Sequence, residues 1–205
     1  MAKLRTLTVA ASFAASLLGF AQSAQATIIF TPGNHPQPGE MNILFGAAET
    51  GSTITGQAGG IDVQFASLTA QTLHQNAAGQ AQITNNAGGI LTSIAITVPG
   101  HTFQDFILNL QGLSGNASVS VTDNLSNVAS FTLAAGPGGG ANFLTITTAP
   151  GELITDISIS AANGFDNFKQ PRISGISGGS VPEPASLALL GSALLGYRLF
   201  RRQKA

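Results

Sequence analysis

Few residues in this chain have both the type and the spacing that chemistry needs. Gly175-Ile-Ser177-Gly-Gly179 has the form of a nucleophile elbow. That device works only where a sharp strand-to-helix turn presents the serine to a histidine and an acid. Here the serine sits in a Gly/Ser-rich stretch, so no catalytic residue is assigned. Gly136-Pro-Gly-Gly-Gly140 is rich enough in glycine to cradle phosphate. No Lys-Ser/Thr comes after it, however, and a strand rather than a helix is next, so it lacks the helix N-terminus that would hold the anion. A hairpin loop accounts for it better. His35, His74 and His101 are scattered without ligand spacing. Among the acids, a glycosidase pair would need two carboxyl groups about 5 to 9.5 Å apart, a distance that sequence does not supply. The absence of Trp and the single tyrosine, Tyr197, argue against a sugar cleft built on aromatic platforms. Thr145-Ile-Thr147 and Ser158-Ile-Ser160 each place two hydroxyls on one strand face. Flat threonine arrays can bind ice, but no repeat extends these pairs. The chain has no cysteine, which excludes disulfides, thiol catalysis and Cys-based metal sites.

The elements that would position these groups are strands. Ile94, Ile96 and Val98 alternate with smaller or polar residues, as do Val119 and Val121, Phe131 and Leu133, Leu144 and Ile146, and Ile157 and Ile159, while Phe106, Leu108 and Leu110 alternate with Ile107 and Asn109. Period-two alternation marks strands with one buried face. Turn chemistry separates them at Pro99-Gly100, Gly112 to Asn116, Asp123-Asn124, Gly136 to Gly140, Pro150-Gly151 and Asn163-Gly164. Breaks at this spacing, with no fixed repeat, predict an all-β antiparallel sandwich or jelly roll of nine to eleven strands over residues 27–174. Residues 31–60, with several prolines and glycines, are the hardest stretch to assign.

Composition bounds the partners. The chain is 43% hydrophobic but only 8% charged, against a usual charged share of about 25%. Its apolar residues still suffice for a core, which separates it from disordered chains. Between residues 27 and 180 stand two bases, Lys169 and Arg172, against eight acids, for a formal charge of −6. Such a domain lacks the basic surface that phosphate contacts require, so nucleic acid is not an expected partner.

The other bases gather at the chain ends. Lys3 and Arg5 precede an apolar run from Leu7 to Phe20, and Ala24-Gln-Ala26 fits a small-x-small cleavage site. Residues 1–26 therefore read as a signal peptide cut after Ala26, with the Sec translocon and signal peptidase as partners. At the other end, Gly175 to Ser180 reads as a Gly/Ser linker. Val181, Pro182, Glu183 and Pro184 come next, the prolines enforcing an extended peptide. Residues 185–200 could form a helix of about 24 Å, a short membrane span. Arg198, Arg201, Arg202 and Lys204 would stop transfer and keep the end cytoplasmic.

Val181-Pro-Glu-Pro-Ala-Ser186, the short apolar stretch and the terminal basic cluster together resemble the PEP-CTERM sorting signal of Gram-negative bacteria. The resemblance implies an exosortase, a multi-spanning membrane protease, as partner, with processing at or near Pro182-Glu-Pro184. It also implies transient anchoring in the inner membrane with the domain in the periplasm, then a place at the cell surface or in an exopolysaccharide or biofilm matrix. Nearer the domain's end, Phe165-Asp-Asn-Phe168 resembles the closing strand of carbohydrate-binding jelly rolls. That likeness would make Asp166 and Asn167 ligands of a structural calcium, whereas on the residues alone the segment reads as a last core strand. No other cofactor is expected. The sequence is thus read as a non-catalytic exported surface or matrix protein. A carbohydrate-binding module is the alternative, and an ice-binding protein or a glycoside hydrolase is less favoured.

Overall fold

The structure, a computed structural model, describes residues 27–75, 79–137 and 140–178. The expected signal peptide, sorting tail and terminal helices lie outside these residues. Among the described residues no helix is long and apolar enough to cross a membrane.

The described chain forms eighteen strands: β1 (Ile28–Pro32), β2 (Met41–Asn42), β3 (Leu44–Phe45), β4 (Glu49–Gly51), β5 (Thr53–Ala58), β6 (Ile61–Ala66), β7 (Leu73–Gln75), β8 (Gly79–Gln80), β9 (Gln82–Asn85), β10 (Leu91–Thr97), β11 (His101–Thr102), β12 (Asp105–Gln111), β13 (Asn116–Asp123), β14 (Val128–Ala134), β15 (Phe143–Thr148), β16 (Ile154–Phe165), β17 (Asn167–Ser174) and β18 (Ser177–Gly178). Eighteen exceeds the nine to eleven expected from sequence, although nine of them run six residues or longer. The other nine are short and cluster mainly over 41–51 and 73–85, where loops interrupt pairing every few residues.

Two antiparallel sheets make the sandwich. Sheet A has the order β1-β15-β12-β17-β9-β7-β4, with β2 also paired to β17, and sheet B the order β14-β13-β16-β10-β6-β5-β3-β8. The alternating apolar residues of both sheets meet in one core. Phe65 of sheet B packs against Phe168 of sheet A, ring centroids 5.7 Å apart, and against Phe45 at 5.8 Å. At one edge Phe30 of β1 lies flat against Phe131 of β14, 5.3 Å away. Burial of such aromatic surface is the main driving force for a chain without disulfides.

Two boundaries differ from those expected. Asn163-Gly164 is not a turn but part of β16, where a bulge shifts the pairing with β10. Gly164 has φ of +70°, and a Cβ there would lie 2.7 Å from the Leu91 carbonyl oxygen. The glycine therefore supplies a bend inside a long strand, as bulge glycines do. The chain then crosses from sheet B to sheet A at Asp166, with Phe165 and Phe168 both fully buried. The second difference is the Gly/Ser stretch read as a linker from 175. Ile176 packs on the core and Ser177–Gly178 pairs with β11, so the fold extends through Gly178.

Candidate functional site

The groups singled out by type sit where turns and edges need them. Asp123, 1% exposed, accepts the Leu125 and Asn127 amides at 2.8 and 2.7 Å and the Asn127 side-chain amide at 2.8 Å, closing the β13–β14 hairpin. Asn142 ties the glycine-rich loop: its Oδ1 accepts the Gly136 amide, and its Nδ2 donates to the Leu110 and Gly140 carbonyls. The loop is thus a braced connection between β14 and β15. Ser177 donates to, or accepts from, the Thr102 hydroxyl at 3.0 Å, and no imidazole stands in that pair. His101 Nδ1 bonds the Pro99 carbonyl and His35 Nε2 the Pro32 carbonyl, so each ring braces its own turn. His74 Nδ1 meets the Thr50 hydroxyl at 2.9 Å.

Four further acids are bonded to their surroundings. Glu49 accepts the Thr55 amide, Asp62 the Gln57 side chain, Asp105 the Ser174 hydroxyl at 2.6 Å and Glu152 the Thr27 amide at 2.5 Å. Among the described residues no group of three or more His, Asp or Glu side chains is arranged to hold a metal. Asp166 is exposed, with its carboxylate packed so closely over Gly112 that a Cβ there would lie 2.1 Å from Oδ2. Asn167 Oδ1 accepts the Gln82 side chain at 2.9 Å.

Three surfaces emerge that the sequence did not reveal. The first is a strap. Residues 33–40 leave the edge strand β1 and cross the outer face of sheet A to reach β2 beside β17. Thr145 fastens the strap by accepting the His35 amide at 3.0 Å and donating to the Gly33 carbonyl at 2.9 Å. Arg172 bonds Asn34 and pairs with Glu40 Oε2 at 2.9 Å, while Glu40 Oε1 is buried without a partner. Ile107, opposite both Thr145 and Arg172, is fully buried beneath the strap and stands apart from the main core. Beyond the strap the same face presents Gln111 opposite Asn167 and Lys169 opposite Gln82, a band of amides and one amine.

The second surface is the outer face of sheet B. Strand register aligns Thr132, Ser118 and Ser160, then Ser130, Ser120 and Ser158, then Thr122, Asp156, Thr97, Gln64 and Thr55. Ser158 and Ser160 thus belong to a field of short hydroxyl side chains spanning several strands. A sheet twists by about 20° to 25° per strand, so the field does not form a flat lattice. Asp156 lies inside it, and burial raises its carboxyl above the ordinary aspartate value of 3.8.

The third surface is the end of the sandwich that holds both ends of the described chain. The Thr27 amide meets Glu152, and the Thr148 hydroxyl reaches both the Glu152 and Gln104 carbonyls. The Gln104 amide donates to the Ser174 carbonyl, and β11–β18 lies just beyond. The first described residue and the last strand therefore share one end of the molecule.

The segment after Gly178 carries the family signal. A model of the PEP-CTERM protein-sorting motif matches residues 180–203. The chain carries a PEP-CTERM sorting motif. The motif begins two residues after β18. No curated protein matches the chain. Among solved structures, a variant of a family 29 carbohydrate-binding module is similar, at 14% identity over 78% of this chain and 96% of that one, with a TM-score of 0.29. Another variant of that module, solved with mannohexaose, covers 74% of this chain and 90% of its own at 14% identity and a TM-score of 0.23.

Proposed function

We propose that this PEP-CTERM protein is a non-catalytic exported cargo, carried to the cell surface or the exopolysaccharide matrix. Removal of residues 1–26 after Ala26 frees the domain. The tail holds it at the inner membrane, with the sandwich in the periplasm. Val181, Pro182, Glu183 and Pro184 form the peptide that the exosortase reads, and Arg198, Arg201, Arg202 and Lys204 form the cytoplasmic stop. The observation that carries this reading is the sorting motif at 180–203, set directly behind the last strand. Fractionation of cells with and without the exosortase tests it. The expected result is a shorter protein at the surface or in the medium only when the enzyme is present, and a full-length membrane-bound form when Pro182 and Glu183 are replaced by alanine. Unchanged size and location without the exosortase would reject the proposal.

A carbohydrate-binding role is the second reading. It is favoured by the band of Gln82, Gln111, Asn167 and Lys169 on the outer face of sheet A, since amides both donate to and accept from sugar hydroxyls. Glycan-array binding by residues 27–178, lost in a Gln111→Ala/Lys169→Ala double variant that keeps its fold, is the outcome that supports it.

A further inference from the structure

The sorting peptide begins closer to the folded domain than a flexible linker would place it. Gly178, the last residue of β18, precedes Pro182 by four positions, and four steps of fully extended chain reach at most about 14 Å. Enzymes that read peptides take them as extended segments of several residues, often by strand addition. Read backward from Pro182-Glu-Pro184, such a segment runs into Ile176–Gly178, which the sandwich already holds.

The hold is small and well defined. His101 pairs with Gly178 and Thr102 with Ser177, and these two strands form a sheet of their own. The Thr102 and Ser177 hydroxyls bond at 3.0 Å, and Ile176 rests against the core. Gly175 turns the chain into this position at φ of +63°, so tightly that a Cβ would lie 2.7 Å from the Gln104 side chain. Ser174, one residue earlier, is 2% exposed and belongs to β17, which is paired with β12 in the middle of sheet A. The boundary between a weakly held strand and a firmly held one therefore falls at Gly175.

We infer that β11–β18 is a latch on exosortase processing: β11 and the enzyme's cleft compete for the same segment, and β18 must leave β11 before the tail is processed. This inference rests on the exosortase reading above. A ladder of two residue pairs sits at the low end of local stability and opens without unfolding the sandwich. Opening moves the point of attachment from Gly178 back to Ser174, so the reach to Pro182 grows to about 28 Å. The sandwich stays folded throughout, because the peeling stops at β17.

The chain has no cysteine, so a designed pair can lock the latch without competing thiols. Thr102 and Ser177 are directly opposed, as a disulfide requires. The full-length Thr102→Cys/Ser177→Cys protein is expressed in exosortase-positive cells, and conversion to the processed form is followed by pulse-chase with and without a thiol reductant. Once disulfide formation has been verified by mobility shift, processing is expected to slow at least about tenfold and to return to the wild-type rate on reduction, which also shows that the variant folds. Ile176→Asn, which loosens the same segment, is expected to be processed faster than wild type. A verified disulfide with wild-type processing rate overturns the latch and leaves the sorting reading intact. Wild-type processing that persists without the exosortase overturns both.

Discussion

Asp156 stands in the hydroxyl field of sheet B between Thr122 and Thr97, and no base lies opposite it in the register. Partial burial raises its carboxyl, so the folded protein binds a proton more readily than the unfolded chain does. Between the unfolded value of 3.8 and the raised folded one, stability therefore falls as pH rises. Above that window the charged form remains a standing cost. Asp156→Asn is expected to melt higher than wild type at neutral pH, with the difference vanishing as pH falls below 4 (roughly the ordinary aspartate value); calorimetry across that range measures it. Phe65 supplies the opposite case, a residue whose burial only helps. It is fully buried and touches rings from both sheets, so Phe65→Ala is expected to cost about 3–5 kcal/mol by urea unfolding.

At the scale of the element, the bulge in β16 carries the clearest prediction. Gly164→Ala must place a Cβ against the Leu91 carbonyl and Ile90 while holding a positive φ. Backbone cannot give way as a flexible side chain would, so a loss of about 2–3 kcal/mol is expected, read as a lower urea midpoint with unchanged slope. The bulge also shows how far the elements were legible in the chain. Ile157 and Ile159 reveal one face of β16 by alternation alone, because period two is a local property. Asn163-Gly164 has the chemistry of a turn and is used as a bulge, because β10 pairs beside it and keeps the strand extended. Likewise Ile176 and Ser177 have linker composition, and only the neighbouring β11 makes Ser177 strand. Local residues state what backbone they permit, and the partner strand decides which permitted form is taken.

At the scale of the whole molecule, no cluster of acids or histidines among the described residues is arranged for a cation, and the side chain of Asn167 is already bonded to Gln82. Calcium or a chelator is therefore expected to leave the melting temperature of residues 27–178 unchanged, and a calcium-dependent rise would support Asp166 and Asn167 as ligands. The core itself is one apolar cluster between two sheets, with no disulfide to reinforce it. By sequence alone, the sorting motif and the fold class were determined. The sorting motif is a contiguous run at 180–203, and the strand faces come from alternation, so both are written in neighbouring residues. The strap, the Arg172–Glu40 pair, the hydroxyl field and the β11–β18 latch join residues from 10 to 138 positions apart. Such surfaces exist only once strand order and register are set. Long-range pairing sets them, and sequence neighbours do not encode which distant strand will lie alongside.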